Sequence, residues 1–337
     1  MAERSAQPAL AVSYATIPGL LAGAVLPHAL HREPRVWLET NCYADLWIEL
    51  LGALALEPYA MLSHTLRVDF EGDQWTFFKP GADDLRLLYG IEIAELAIWD
   101  GGERHLIEQL SRGRIVLWEV DAYYLPDTAG ISHHQAHTKT TIGVERIDPG
   151  AKRLGYFHNA GYHTLEADDF DGLLSKTAAL PLYAELVKLD RLERLGDREL
   201  RRRARRLFLR DVARRPPQNP ILEYQRDFAR HAGWLAGGEL EVFHRYAFAS
   251  LRQCGAAYEL AASHLRWLFT DNPVALAAAD DFDAIAVAAK AETLKLARAV
   301  QRNRAAELGP LLDAAPRWDR AFSALVEGAA ELGREAA

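Results

Sequence analysis

Cys42 in "TNCYADLWIEL", the histidines of "SHHQAHTKTTIGV" and the asparagine that closes "RLGYFHNA" are the residues whose types fit covalent acyl chemistry. A thiol attacks as its thiolate, and the unpaired N–H groups and dipole of a helix N-terminus favour that anion. The same amides can hold the oxyanion of a tetrahedral intermediate. An imidazole must take the thiol proton, and a third group must orient that imidazole. His137 opens a strand-like run, so a rigid element would hold it, and Asn159 ends the next run. Taken singly, each residue also fits a structural role: Cys42 as a small buried apolar group, His137 as an exposed side chain, Asn159 as a turn residue.

The order of Cys42 at a helix start, His137 on one strand and Asn159 on the next is that of papain-like cysteine enzymes. A metal reading competes. His133, His134 and His137, with Asp127, His158 and His163 in reach, offer nitrogen and oxygen ligands for zinc, although no helical HxxxH spacing fixes their geometry.

The elements that would position these residues follow from periodicity. Apolar residues at 43, 46, 47, 50, 51 and 54 mark one face of a helix, with Thr40 or Asn41 as its N-cap. "LRVDFEG" and "QWTFF" read as short strands about a Glu71-Gly72-Asp73 turn, followed by a helix from about Asp83 to Gly90. "RIVLWEVDAYYLP" reads as a buried strand stopped by Pro126. "HTKTTIGVERI" and "RLGYFHNA" read as a hairpin about Asp148-Pro149-Gly150. From about residue 176 the chain, including "LPLYAELVKLDRLERL", reads as helical. The expected organisation is an N-terminal arm over 1–34, an α+β domain over 35–175 and an all-helical domain over 176–337.

At 337 residues with a formal charge of −8, the chain lacks the net basic surface of a nucleic-acid-binding protein. Two cysteines, Cys42 and Cys254, exclude a four-cysteine zinc site and fit a reducing cytoplasm. No segment offers the ~18 to 20 uncharged apolar residues that span a bilayer. Between Arg191 and Arg215, eleven arginines stand against four acidic residues, a local excess of seven positive charges. Arg201, Arg202, Arg205 and Arg206 could dock an acidic partner through complementary charge, or form a solvated helix face with i,i+4 pairs. An aminoacyl-tRNA would also meet such arginines, but only Phe208 is interleaved as a stacking aromatic.

"NCYADLWIELL", "DFEGDQWTFFK", "EVDAYYLPDTAG", "HTKTTIGV" and "LGYFHNAGYHTLEADDF" resemble a bacterial family of domains of unknown function, DUF1839, often encoded beside amino acid:carrier-protein ligases. More distantly, the cysteine, "VDAYYLP" and the His-led strand resemble the N-terminal domain of the butirosin acyltransferase, a papain-like, C39-like fold. The resemblance implies Cys42 as nucleophile, His137 as base and Asn159 as orienting residue. Papain-like enzymes place an oxyanion-hole Gln shortly before the cysteine, and no Gln lies between residues 8 and 73, so Asn41 or a backbone amide would substitute. Asp121 would act in positioning.

The implied function is a cysteine acyltransferase that takes an aminoacyl or acyl group from the phosphopantetheine thioester of an acidic carrier protein. No cofactor or metal of its own is implied, and an amine or other small molecule is the acceptor. With water as acceptor the protein would be a thioesterase or peptidase-like hydrolase. With Cys42 structural it would be a carrier-protein-binding scaffold, and with the histidine loop binding metal, a metal-dependent hydrolase.

Overall fold

The computed structural model describes residues 13–23, 25–32, 34–175 and 183–333. In chain order the strands are β1 Tyr14–Ala15, β2 Glu92–Ala97, β3 Ile115–Asp121, β4 Lys139–Asp148, β5 Arg153–His158, β6 Gly161–Glu166 and β7 Tyr183–Lys188. The helices are α1 Cys42–Ala53, α2 Ala82–Tyr89, α3 Gly102–Ser111, α4 Ala167–Leu174, α5 Asp197–Ala213 and α6 Pro220–Gly237. They continue with α7 Leu240–Ala247, α8 Gln253–Leu268, α9 Pro273–Gln301, α10 Pro310–Glu327 and α11 Ala329–Leu332. A long 3-10 stretch covers Pro58–Arg67, and a π-helical segment, Phe248–Arg252, joins α7 to α8. Among the described residues, no helix is long and apolar enough to cross a membrane.

The molecule is α+β, and its chain divides into two compact units. The first holds Ile91–Arg191 and the described residues up to Leu26. Its antiparallel sheet has the order β2-β7-β3-β4-β5-β6, with β1 added to β4 at Tyr14↔Ile147 and Ala15↔Arg146. Alternation along β3 sends Val116, Trp118 and Val120 to one face. There they pack with Ile142, Val144, Tyr156 and Ala184 under Leu106 and Leu110 of α3 and Phe170 and Leu173 of α4.

The second unit joins Pro27–Gly90 to Leu192–Ala337. The expected continuous 35–175 domain is therefore divided: residues 35–90, which carry α1 and Cys42, pack with the helices that follow residue 191. The reason lies in α1. Every residue from Tyr43 to Leu51 is buried, so this helix needs cover on all sides rather than one. The expected N-terminal arm is divided in the same way, residues 14–26 going to the sheet and the segment from Pro27 to the helices.

Two expected elements differ. "YAELVK" is the strand β7, not a helix, and sits between β2 and β3 with Ala184 and Leu186 facing inward. Its helix-favouring Ala, Glu, Leu and Lys yield to pairing on both edges. "LRVDFEG" and "QWTFF" meet only at one bridge, Phe70↔Trp75, held by Glu71 N–H to Gln74 O at 2.8 Å and Thr76 N–H to Asp69 O at 2.9 Å, while the outward Trp75 N–H donates to Ala249 O at 3.0 Å. α2 and the β4–β5 hairpin lie where periodicity put them, and β3 is the expected buried strand but ends at Asp121, with Ala122–Tyr124 in a 3-10 turn before Pro126.

Candidate functional site

Cys42 is the first residue of α1, half-buried, and Asn41 is the N-cap: its Oδ1 accepts Ala44 N–H at 2.9 Å. The other end of the Asn41 amide donates to Phe78 O at 3.1 Å and Gln253 Oε1 at 3.3 Å. Both ends are thus spent on holding the helix start, which corrects the expectation of Asn41 as an oxyanion donor. Behind the cap lies a buried ionic cluster that the sequence reading missed. Asp45 accepts Thr40 N–H at 2.7 Å and Thr40 Oγ1–H at 2.5 Å. His31 bridges Asp45 (3.2 Å) and Glu49 (2.5 Å), and Glu49 also accepts His28 N–H at 2.8 Å. Burial opposes protonation of His31, but its hydrogen bonds to Asp45 and Glu49 prevail and raise it to about 9.

Cys254 stands in contrast. It is fully buried in α8, and burial pushes its thiol up. Native protein is therefore expected to take up one equivalent of iodoacetamide, at Cys42, with Cys254 reacting only after unfolding; peptide mapping checks this, and early labelling of Cys254 would show that α8 opens.

In the first unit three groups of histidines each belong to a different aspartate. His137 Nδ1 donates to Asp121 Oδ2 at 2.5 Å, while Asp121 Oδ1 accepts the N–H groups of Tyr123 (3.0 Å) and Thr138 (3.2 Å). The ring stacks on Tyr123 at 4.5 Å and 13° and keeps a side-chain exposure of 64%, so its Nε2 edge is open to a reacting group. The orienting partner of His137 is Asp121, not Asn159. Asn159 occupies the tight β5–β6 turn with φ 45°, the turn role that its residue type also suggested.

The second group is buried. His158 Nδ1 donates to Asp127 Oδ2 at 2.5 Å, Thr140 Oγ1 lies 2.7 Å from His158 Nε2, and Tyr156 O–H donates to Asp127 Oδ1 at 2.5 Å. Burial pushes the Asp127 carboxyl up, but the hydrogen bond and charge of His158 outweigh it and hold it below the ordinary aspartate value. This network pins the start of β4 to the end of β5 and so fixes the strand that begins just after His137. The third group is His133 and His134 on Asp169. The single ligand set considered from sequence is thus divided among three carboxylates.

Of the arginines considered for docking, Arg205 is 6% exposed with its guanidinium over the Phe269 ring, which removes it from any docking face. Arg201 is taken by Asp197 and stacks over Trp267. Arg202 is paired with Glu199, whose carboxyl its arginine partners hold at about 2. Arg206 is exposed and joins Arg86, Arg202, Arg203 and Arg210 in a groove of about 630 Å³ between α2 and α5, against Asp83, Asp84 and Glu199.

Fold and site together define an α+β protein whose sheet carries an imidazole oriented by a carboxylate. A model of the DUF1839 N-terminal domain matches residues 26–189, and one of the DUF1839 C-terminal domain matches residues 197–327. The chain belongs to the DUF1839 family. No curated protein matches the sequence.

Proposed function

We propose that the protein is a cysteine acyltransferase of papain-like, C39-like type, acting on an acyl or aminoacyl thioester of a carrier protein's phosphopantetheine. Cys42 Sγ attacks the thioester carbonyl as His137 takes its proton, and collapse of the tetrahedral intermediate breaks the carbon–sulfur bond. The pantetheine thiol leaves with the proton returned by His137. An amine acceptor then attacks the acyl-cysteine, its proton passes to His137, and the amide departs as the Cys42 thiol is restored. The observation that carries this reading is the 2.5 Å bond from His137 Nδ1 to Asp121, which leaves Nε2 available for proton transfer. Cys42 belongs to the second unit and His137 to the first, and their joint action is carried over from the family resemblance. With the Asn41 amide fully engaged, the oxyanion falls to backbone N–H groups at the start of α1. The groove between α2 and α5, where Arg206 stands beside arginines paired with Asp83, Asp84, Glu193 and Glu199, offers a small positive excess to an acidic carrier protein. The cytoplasm remains the expected compartment for a free cysteine nucleophile.

Intact mass spectrometry of wild type and Cys42→Ala mixed with aminoacyl-loaded carrier protein tests the proposal. The acyl mass is expected on the wild type alone. If neither gains mass while the carrier stays loaded across several acyl groups, the chain is a scaffold and Cys42 is structural.

A further inference from the structure

We propose that His133, His134 and Asp169 form a binding site for a zinc-class divalent cation. Residues 131–135 form a turn in which His133 N–H donates to Thr128 O at 3.3 Å. Here both rings are turned to one side and stacked, with centroids 4.0 Å apart and planes at 28°. The turn is made at His134, whose φ of 53° is a left-handed conformation that non-glycine residues adopt only at a cost. His134 N–H donates to Tyr123 O at 3.0 Å and holds that conformation. The result is convergence on one carboxylate. His133 Nε2 lies 3.0 Å from Asp169 Oδ2, and His134 Nε2 lies 2.8 Å from Oδ1. Asp169 comes from the first turn of α4 and its side chain is 14% exposed, so the carboxylate is fixed while the histidine side stays accessible.

The three donor atoms lie within 4.8 Å of one another. A tetrahedral zinc ion at about 2.0–2.2 Å from each donor sets them about 3.4 Å apart, so the 3.0 and 2.8 Å contacts widen by a few tenths of an ångström while the widest donor separation, at most 4.8 Å, closes onto the ion. Two imidazoles and one carboxylate suit zinc, cobalt or nickel, whereas calcium requires six to eight oxygen ligands. Three protein donors leave a fourth position for water or an exogenous ligand. Without metal each Nε2–H donates to the carboxylate; on binding, that proton moves to Nδ1 of the neutral ring and Nε2 takes the ion. Tyr123 separates this cluster from the oriented base: its ring is 5.4 Å from that of His134 and stacked on His137. The cation site therefore stands apart from the proposed transfer chemistry.

The test uses untagged full-length protein, stripped with EDTA, loaded with cobalt or zinc and desalted. One equivalent should be retained, cobalt giving the visible bands of a low-coordinate nitrogen and oxygen site. His134→Gly suits the left-handed backbone, so it should melt no lower than wild type while metal affinity falls at least ~10-fold. Asp169→Asn should lose metal likewise, and His105→Ala should retain it. Failure of stripped wild type to retain either metal, or retention by His134→Gly equal to wild type, would overturn the proposal. Neither readout depends on acyl transfer.

Discussion

Replacing Asp121 with asparagine is expected to slow acyl transfer by up to about 10,000-fold while leaving the fold intact, the scale seen when an imidazole is held in the wrong tautomer. The asparagine oxygen can take the place of Oδ1 and keep the N–H groups of Tyr123 and Thr138, at 3.0 and 3.2 Å. Its amide nitrogen must then stand where Oδ2 stood, 2.5 Å from His137 Nδ1. That nitrogen can only donate, so Nδ1 must become the acceptor and the ring proton moves to Nε2. A base whose Nε2 already carries a proton cannot take one from a thiol. Nitrogen-15 chemical shifts of the His137 ring report the tautomer without any turnover: Nδ1–H is expected in wild type and Nε2–H in the variant. Asp121→Ala, by comparison, strips two backbone donors of their acceptor and should destabilise by about 1–3 kcal/mol. An unchanged His137 tautomer in Asp121→Asn, with transfer within a few-fold of wild type, would remove Asp121 from the mechanism.

The role of Asp121 shows where sequence reading stops. Periodicity located α1, β3 and the β4–β5 hairpin because each has a single apolar face or a uniformly buried run, and the position of His137 followed from β4. The orienting group did not follow. Asn159 was expected by chain order, but the distance between two strand ends depends on register, and here the β5–β6 turn takes Asn159 while Asp121 ends the adjacent strand β3. Asp169 carries no sequence signal for a related reason: it is thirty-five residues from His134, on a helix that only the tertiary fold brings to the histidine loop. β7 reads as helix because six residues of mixed propensity are decided by their neighbours; the expected border near residue 176 falls close to that between the two family models, 26–189 and 197–327, while contacts group residues 27–90 with the later helices because α1 is buried on every side. Asp45 and Glu49 of α1 carry no sequence signal of burial, because their partners His31, Thr40 and His28 precede the helix in the chain.

That buried cluster carries the second large effect, on stability. His31 has an ordinary value of 6.5 and is raised to about 9 in the fold. A group raised on folding contributes fully below its unfolded value and loses that contribution as pH climbs through the folded one. Stability gained from His31 is therefore complete below pH 6.5 and falls away towards pH 9, by on the order of 3 kcal/mol. His28 does not blur this window. Its burial lowers it against the pull of Glu49, so it titrates on the acid side of 6.5.

His31→Asn leaves Asp45 and Glu49 facing each other without a cation, at side-chain exposures of 0% and 2%. Removing one partner of such a buried cluster typically costs about 3–5 kcal/mol. Urea denaturation of wild type and His31→Asn is expected to show the full deficit at pH 6, shrinking steadily to pH 9.5 as the wild type loses its buried cation. The deficit bears on function through geometry. Asp45 holds Thr40, Thr40 precedes the Asn41 cap, and the cap sets the amides around Cys42. Iodoacetamide labelling of Cys42 in the variant should consequently change rate under conditions where the fold is still fully populated. Parallel stability curves for the two proteins from pH 6 to 9.5 would show that His31 is not the titrating group, and an unaltered labelling rate would separate the cluster from the helix start it lies beneath.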